Sequence, residues 1–360
     1  MASAQVPITE LEAGQEPITE LKEVVISAGR NPVEAEKVGR ATTVLTGEEL
    51  EKTQVRYVAD ALRRVPGVAV SRTGSFGGFT QIRIRGSEGN QVLVLIDGVE
   101  VAGTAGGEFD FGSLQVADIE RIEVLRGPQS ALYGSNAAAG VIHIITKDGI
   151  RDGSEITVRS EVGTDETVLG NVLFQGGGAN FDVALSGAFR RTDGFNISDF
   201  GSEKDGDRNL ALNGKTRWDI TEDLYFDGSL RFVDRKADTD GQDFGFGSST
   251  YGQVLDTPTF VESREFFGGG GLTWTLFDDR FVQRFRTEIA DLENRGEGSF
   301  GSYGDDGRRY HTSYQATLFT DTPQFLESAH SLITRVITPT VVAIGTETTF
   351  TTIFQIRYFR

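Results

Sequence analysis

Two architectures in series are predicted: a small α+β unit to about residue 149, then strands of an antiparallel β-barrel that this chain does not complete. Three observations predict them. Glycine supplies 45 of the 360 residues, against 8 prolines and one methionine, which suits turn-rich β structure and not a helical bundle. Hydrophobic spacing is mixed up to Gly149 and alternates afterwards. The connections between alternating segments become by turns short and long, as when tight turns close one end of a barrel and long loops the other.

The same composition narrows the function. Net charge is −18, so no nucleic-acid surface is expected, since phosphate contacts need clustered Lys and Arg. With no cysteine there is neither a disulfide framework nor a thiolate site. No apolar run approaches the roughly 20 residues of a membrane helix, so any bilayer contact must be made by a barrel. His143, His311 and His330 lie far apart without metalloprotease spacing, and Gly134-Ser135-Asn136 is not a nucleophile elbow. The glycine run Gly268 to Gly271 belongs to a strand and not to a phosphate loop. No catalytic residue, and hence no enzyme, is expected.

Taken in order, residues 1–22 form a flexible arm with a tandem repeat, QVPITELEAG then QEPITELKEV, kept extended by Pro7, Pro17 and acidic charge. Residues 23–28 (Glu23, Val24, Val25, Ile26, Ser27, Ala28) are a β-prone segment on that tether, able to add as a strand to a partner's sheet edge. The alternative is that the same six residues are the first strand of the following unit. In residues 29–149, Thr46 and Glu49 spell a capping box at a helix start. Val55, Val58, Ala59, Leu62 and Val65 then share a helical face that Pro66-Gly67 ends. Val92 to Val101 reads as a hairpin around Asp97-Gly98, a pair that tolerates positive φ. Ile119 to Lys147 holds two strand-like runs separated by an Arg-Gly-Pro corner, a one-turn helix and a Gly/Ala-rich return, with Gly134 and Gly140 easing the reversal.

These last motifs carry a resemblance. VADALRRVPGVAV (Val58 to Val70), IRIRGSEGNQVLVLIDGVEV (Ile82 to Val101) and IERIEVLRGPQSALYGSNAAAGVIHIITK (Ile119 to Lys147) stand in the order and spacing of the plug domain of TonB-dependent outer-membrane receptors. Among those, the chain most resembles cobalamin and ferric siderophore receptors. The resemblance implies an α+β plug followed by transmembrane β-barrel strands, in the outer membrane of a Gram-negative bacterium. It implies that Glu23 to Ala28 is a TonB box, grasped by the energising inner-membrane protein. Gly74, Ser75, Phe76 and Gly77, with Thr104, Ala105 and Gly106, would then lie at the ligand-facing apex. Arg85 and Arg126, each before a glycine at a strand end, would lock the plug by pairing with glutamates of the barrel wall. Glu120 and Glu123 could instead satisfy them locally.

After Gly149 the alternation is plain. Phe181, Val183, Leu185, Gly187 and Phe189 oppose Asp182, Ala184, Ser186, Ala188 and Arg190, and Leu224 to Phe232 repeats the pattern. A strand of about ten residues with one apolar and one polar face is what a lipid-facing barrel wall needs. Eight strands are expected near 155–163, 166–177, 180–190, 207–218, 222–234, 263–277, 280–294 and 308–320, with long third, fifth and seventh connections. The fifth contains Asp240, Asp243 and Asp256, oxygen ligands for calcium in an external loop or simply a solvated acidic loop. Past residue 333 alternation fails, although His330 to Val336 could open a ninth strand. A barrel around a plug takes about 22 strands. The 150–360 segment is therefore expected to be the N-terminal part of a barrel, and the chain a piece of a receptor importing cobalamin or a ferric siderophore. The alternative is a surface receptor or signal transducer that binds without import.

Overall fold

The computed structural model describes residues 24–25, 33–34, 39–75, 77–103, 106–298, 301–320, 330–342 and 353–358. It begins with a two-residue ladder, β1 (Val24–Val25) against β2 (Val33–Glu34). Next come β3 (Ala41–Thr46) and α1 (Gly47–Lys52), whose capping box closes as expected: the Thr46 side chain accepts from Glu49 N while the Glu49 carboxylate accepts from Thr46 N. The helix α2 (Val58–Leu62) is shorter than the 55–65 stretch, yet Val58, Ala59, Leu62 and Val65 are all in the core, with Val55 packed against it.

The hairpin β4 (Val68–Arg72) and β5 (Thr80–Ile84) stands apart from the main sheet of this region. That sheet is built from β3, β6 (Val92–Ile96), β7 (Val99–Glu100), β8 (Ile119–Arg126) and β9 (Gly140–Thr146), in the order β3-β8-β9-β6-β7. Only β6 and β9 run parallel, and a short helix α3 (Ser130–Tyr133) helps to join β8 to β9. Asp97 at φ 48° and Gly98 at φ 80° make the β6–β7 turn, as both residues of a type I′ turn must. Gly134 has the expected positive φ. Gly140 does not reverse the chain: it starts β9, and a side chain there would collide with Leu125 O.

The second part is one ten-stranded antiparallel sheet in sequence order, with no pairing between first and last strands among the described residues. Its strands are β10 (Ser154–Val162), β11 (Val168–Gly177), β12 (Phe181–Phe195), β13 (Asp205–Asp219), β14 (Leu224–Gln242), β15 (Val254–Leu276), β16 (Phe281–Gly298), β17 (Gly301–Thr320), β18 (His330–Val342) and β19 (Ile353–Tyr358). Eight lie where alternation puts them, but three connections and the tail differ. β12 to β17 run well past the ten-residue apolar pattern, so the third and fifth connections shrink to residues 196–204 and 243–253. The expected long seventh loop becomes strand up to Gly298 and from Gly301. Asp240 and Asp256 consequently lie on β14 and β15. The atypical tail contributes β18 and β19, two strands where one was expected.

One face of this wall is apolar. Val172, Leu185, Phe189, Leu212, Trp218, Leu230, Leu272, Trp274 and Phe285 all point outward and are exposed. Beyond Phe232 and Phe266 the same face changes to cross-strand ion pairs, Lys236 with Glu262 at 3.0 Å and Arg264 with Asp234 at 3.4 Å. That change marks where the apolar band of this face ends. The other face carries Arg190, Arg231, Arg235, Glu265, Glu288 and Arg309, all buried because the α+β unit lies against them. The two parts share a core: Phe267, Ala290 and Leu292 of the wall join Val99, Val101, Phe109 and Phe111 in one hydrophobic cluster.

Candidate functional site

Loops at the far end of the α+β unit, away from the short turns of the wall, meet the inner face beyond the apolar band. The loop after β4 is built to fit there. Ser75 Oγ donates to Asp205 O at 2.7 Å, Gly77 O accepts from Arg235 Nη1 at 3.1 Å, and a Cβ at Gly74 would touch Thr239 and Ile197. Gly77 has φ 82°, and a Cβ there would come 2.7 Å from Asp207, so both backbone conformation and space require glycine. Gly106 lies in an exposed turn, while Phe76, Thr104 and Ala105 lie outside the described residues. The loop after β4 therefore faces the extended ends of β13 and β14 and Ile197 of the 196–204 connection.

Asp110 is the hub of this contact. Its Oδ1 accepts from Thr80 N and Gly112 N, both at 2.8 Å, fixing two loops, and its Oδ2 pairs with the guanidinium of Arg235, which is almost fully buried. Deeper in, Asp118 accepts from Asn213 Nδ2 at 2.7 Å and from Ser186, and Ser113 O accepts from Asn209 at 2.8 Å. Arg190 pairs with Asp207 and lies 5.5 Å from the Tyr57 ring centroid. Arg56 pairs with Glu161 at the rim. Arg235 pairs with Asp110 across the contact with its cation on the wall and its carboxylate on the α+β unit, the reverse of Arg56 and Glu161.

Arg85 and Arg126 do not follow the expected pairing. Arg126 donates to Pro66 O at 2.7 Å and Thr43 Oγ1 at 3.0 Å, inside its own unit. Arg85 is exposed at φ 54°. Neither bonds a wall carboxylate among the described residues, and the buried carboxylate of Glu123 takes Arg121 Nε at 3.0 Å. The arginines that hold the two parts together are Arg235, Arg286 and Arg309, on strands. Their signal was in the sequence as inward parity on alternating strands; their partners, more than a hundred residues away, were not.

Above the apex, Glu203, Asp240 and Asp256 bring carboxylate oxygens within 4.8 Å of one another. Asp243 is not among them: it accepts from Gly245 N and Thr250 Oγ1 and closes the 243–253 turn. Glu203, not singled out from sequence, takes its place. Burial, a hydrogen bond with Asp256 and the charges nearby raise the Glu203 pKa, and burial raises that of Asp240. The backbone N–H of Glu203 lowers that of Asp256. Nearby Asp205, beyond the apolar band, is pushed up to about 6, first by burial and then by the charges of Asp240, Asp238 and Asp256. At the opposite, short-turn end, a cavity of about 900 Å³ opens between the β6–β9 face and the wall, lined by His143, Lys215, Arg286, Glu288 and His311 among others.

Of the expected partner-binding segment, only Val24 and Val25 are described, as β1; Glu23, Ile26, Ser27 and Ala28 lie outside the described residues.

Residues 34–141 match the family described as TonB-dependent Receptor Plug Domain. The chain is 39% identical over 201 residues to the vitamin B12 transporter BtuB of Vibrio vulnificus (strain CMCP6), covering 55% of this chain and 32% of that protein. It is 32% identical over 211 residues to BtuB of Vibrio cholerae serotype O1 (strain M66-2), covering 58% and 34%. This chain thus spans about a third of the length of those curated relatives. The fold is similar to the siderophore receptor PiuA from Acinetobacter baumannii, with TM-score 0.69 and 16% identity over 89% of this chain and 47% of that one. It is also similar to the ferric-catecholate import receptor Fiu from E. coli K12, with TM-score 0.65 and 16% identity over 90% and 55%.

Two outcomes follow. Asp110→Asn leaves the Arg235 guanidinium buried without its carboxylate, and should cost about 3 to 5 kcal/mol, seen as a lowered denaturation midpoint. For Asp205 the folded pKa of about 6 exceeds the unfolded carboxylate's ~4, so the folded state holds that proton more tightly. Its contribution to stability is complete below pH ~4 and is lost as pH rises to about 6. Asp205→Asn should therefore match wild type at pH 4 and melt higher than wild type at pH 7; an unchanged difference across that range would refute the assignment.

Proposed function

We propose, from a chain that carries the plug domain of a TonB-dependent receptor seated against the first strands of its barrel, that the protein imports a large scarce solute across a Gram-negative outer membrane. Cobalamin or a ferric siderophore is the solute class. The observation that carries this reading is the 34–141 domain packed on the polar face of a sheet whose other face is apolar. A wall of that kind suits lipid on one side and a filled lumen on the other. The cobalamin transporters among the relatives favour cobalamin; the structural neighbours, at 16% identity, bear on the fold alone.

Solute would bind over Gly74 to Gly77 and Thr104 to Gly106, between the strand extensions of β12 to β15. Calcium would be held by Glu203, Asp240 and Asp256, whose close carboxylates repel one another without a cation. When bound, the ion supplies charge neutralisation and ties the 196–204 connection to β14 and β15. Binding then frees the N-terminal box. The β1–β2 ladder is only two residues long, so a partner's sheet edge could replace it at small cost. Pulling by the TonB-type protein supplies the energy, and no residue of this chain needs to be catalytic.

A surface receptor that binds without import predicts the same site but no need for the box. Titration calorimetry of the receptor containing this chain, with cyanocobalamin and with ferric siderophores, should find saturable binding to one of them. Deleting residues 23–28 should leave that binding intact and abolish uptake in TonB-energised cells. Binding of neither solute would refute the substrate class, and uptake that survives the deletion would refute the energy coupling.

A further inference from the structure

The β6–β7 hairpin, Asp97 to Glu100, is fitted into a notch in the wall. Along β15, Gly269 and Gly271 face inward, and a Cβ on Gly269 would come 2.6 Å from Val99 Cγ2. Wall side chains close around the hairpin from β13, β16 and β17. Arg286 Nη2 donates to Asp97 O at 2.8 Å while its Nη1 holds Asp227 at 2.6 Å. Lys215 Nζ lies 3.2 Å from Asp97 Oδ1 and also donates to Thr146 O at 2.8 Å. Arg309 donates to Glu100 O at 2.7 Å and Ala102 O at 3.2 Å, and Glu288 accepts from Glu100 N at 3.3 Å. From its own unit the hairpin is braced by Thr146 on Asp97, by Asn136 on Glu100 and by His143 accepting from Gly98 N.

The N-terminal edge of the same sheet is different. β3 and α1 are tied to β8 by the β3–β8 ladder and to Lys147 through Glu51, and none of the described hydrogen bonds or ion pairs joins residues 41–52 to the wall. Tension entering from residues 23–28 reaches this untied edge first. It reaches the hairpin only after β3.

We propose that the Asp97–Glu100 hairpin is the fixed anchor of the plug: it stays seated at Gly269 while segments nearer the N-terminus move. Val99 and Gly269 are the positioning residues, one as the knob and the other as the missing side chain that makes room for it.

The chain has no cysteine, so a pair introduced here has only one disulfide to form. A Cβ on Gly269 would lie 2.6 Å from Val99 Cγ2, and with one C–C bond more the two β-carbons are at most about 4 Å apart, below the roughly 4.5 Å upper limit for a disulfide. Val99→Cys also removes the methyl that would collide. In the receptor containing V99C/G269C, mild oxidation should join the pair, and uptake should stay within about twofold of wild type. A joined receptor whose uptake falls to background and recovers on reduction would overturn the anchor. Thiols that stay apart in folded receptor would overturn the seating.

The uptake arm rests on the transport reading, so hydrogen exchange supplies an arm that does not. Amides of residues 97–101 should exchange at least roughly tenfold slower than those of 41–46. Equal or faster exchange at the hairpin refutes the anchor even if neither solute is imported, whereas failed import with slow exchange refutes only the transport reading.

Discussion

A strand that gives every second side chain to lipid must send its polar residues the other way. In this chain that inner side is rich in arginine, and an arginine taken out of water needs carboxylates and carbonyls placed to receive it. Arg235, Arg286 and Arg309 find them in Asp110, in Asp97 O and Asp227, and in Glu100 O and Ala102 O. The wall and the plug are thus complementary halves of one buried polar layer. Either half alone would leave charges in a low dielectric without partners. Hydrophobic contact at Phe267, Ala290 and Leu292 makes the same interface continuous with the plug's core.

Glycine lets the wall serve two surfaces at once. On β15, Gly268 and Gly270 lie on the apolar outer face beneath Leu230 and Phe226 of β14, which fill the space a side chain would take. Gly269 and Gly271 face inward and leave the notch for Val99 and for Asp227. A run of four glycines would weaken an ordinary strand; here each is covered by a named neighbour. At the far end the same strands outrun the apolar band and carry Asp205, Asp240 and Asp256 beyond it, where acidic charge accumulates.

Much of this was legible in the sequence. Period two in Phe181–Arg190 and Leu224–Phe232 fixes which face each residue takes, because a strand has only two. The Thr46–Glu49 capping box and the Asp97-Gly98 turn are local, so local residues specify them. The strand extensions were not legible, because once both faces meet water, polar residues occupy both parities and the period disappears. Arg85 and Arg126 attracted attention through their motifs, yet Arg126 is satisfied by Pro66 O and Thr43. Glu203 was missed because its meeting with Asp240 and Asp256 depends on where the 196–204 connection and the ends of β14 and β15 come to lie in space. No spacing along the chain encodes that.

The most direct test of the two-faced wall is single-cysteine scanning of Leu224 to Lys236 in this cysteine-free chain, with a lipid-phase and an aqueous probe applied to the membrane-inserted receptor. Positions 226, 230 and 232 should react with the lipid-phase probe, positions 231, 233 and 235 with neither because the plug covers them, and position 236 with the aqueous one. Aqueous labelling at 231, 233 and 235 in the resting receptor, or no alternation at all, would contradict a plug seated against a membrane wall.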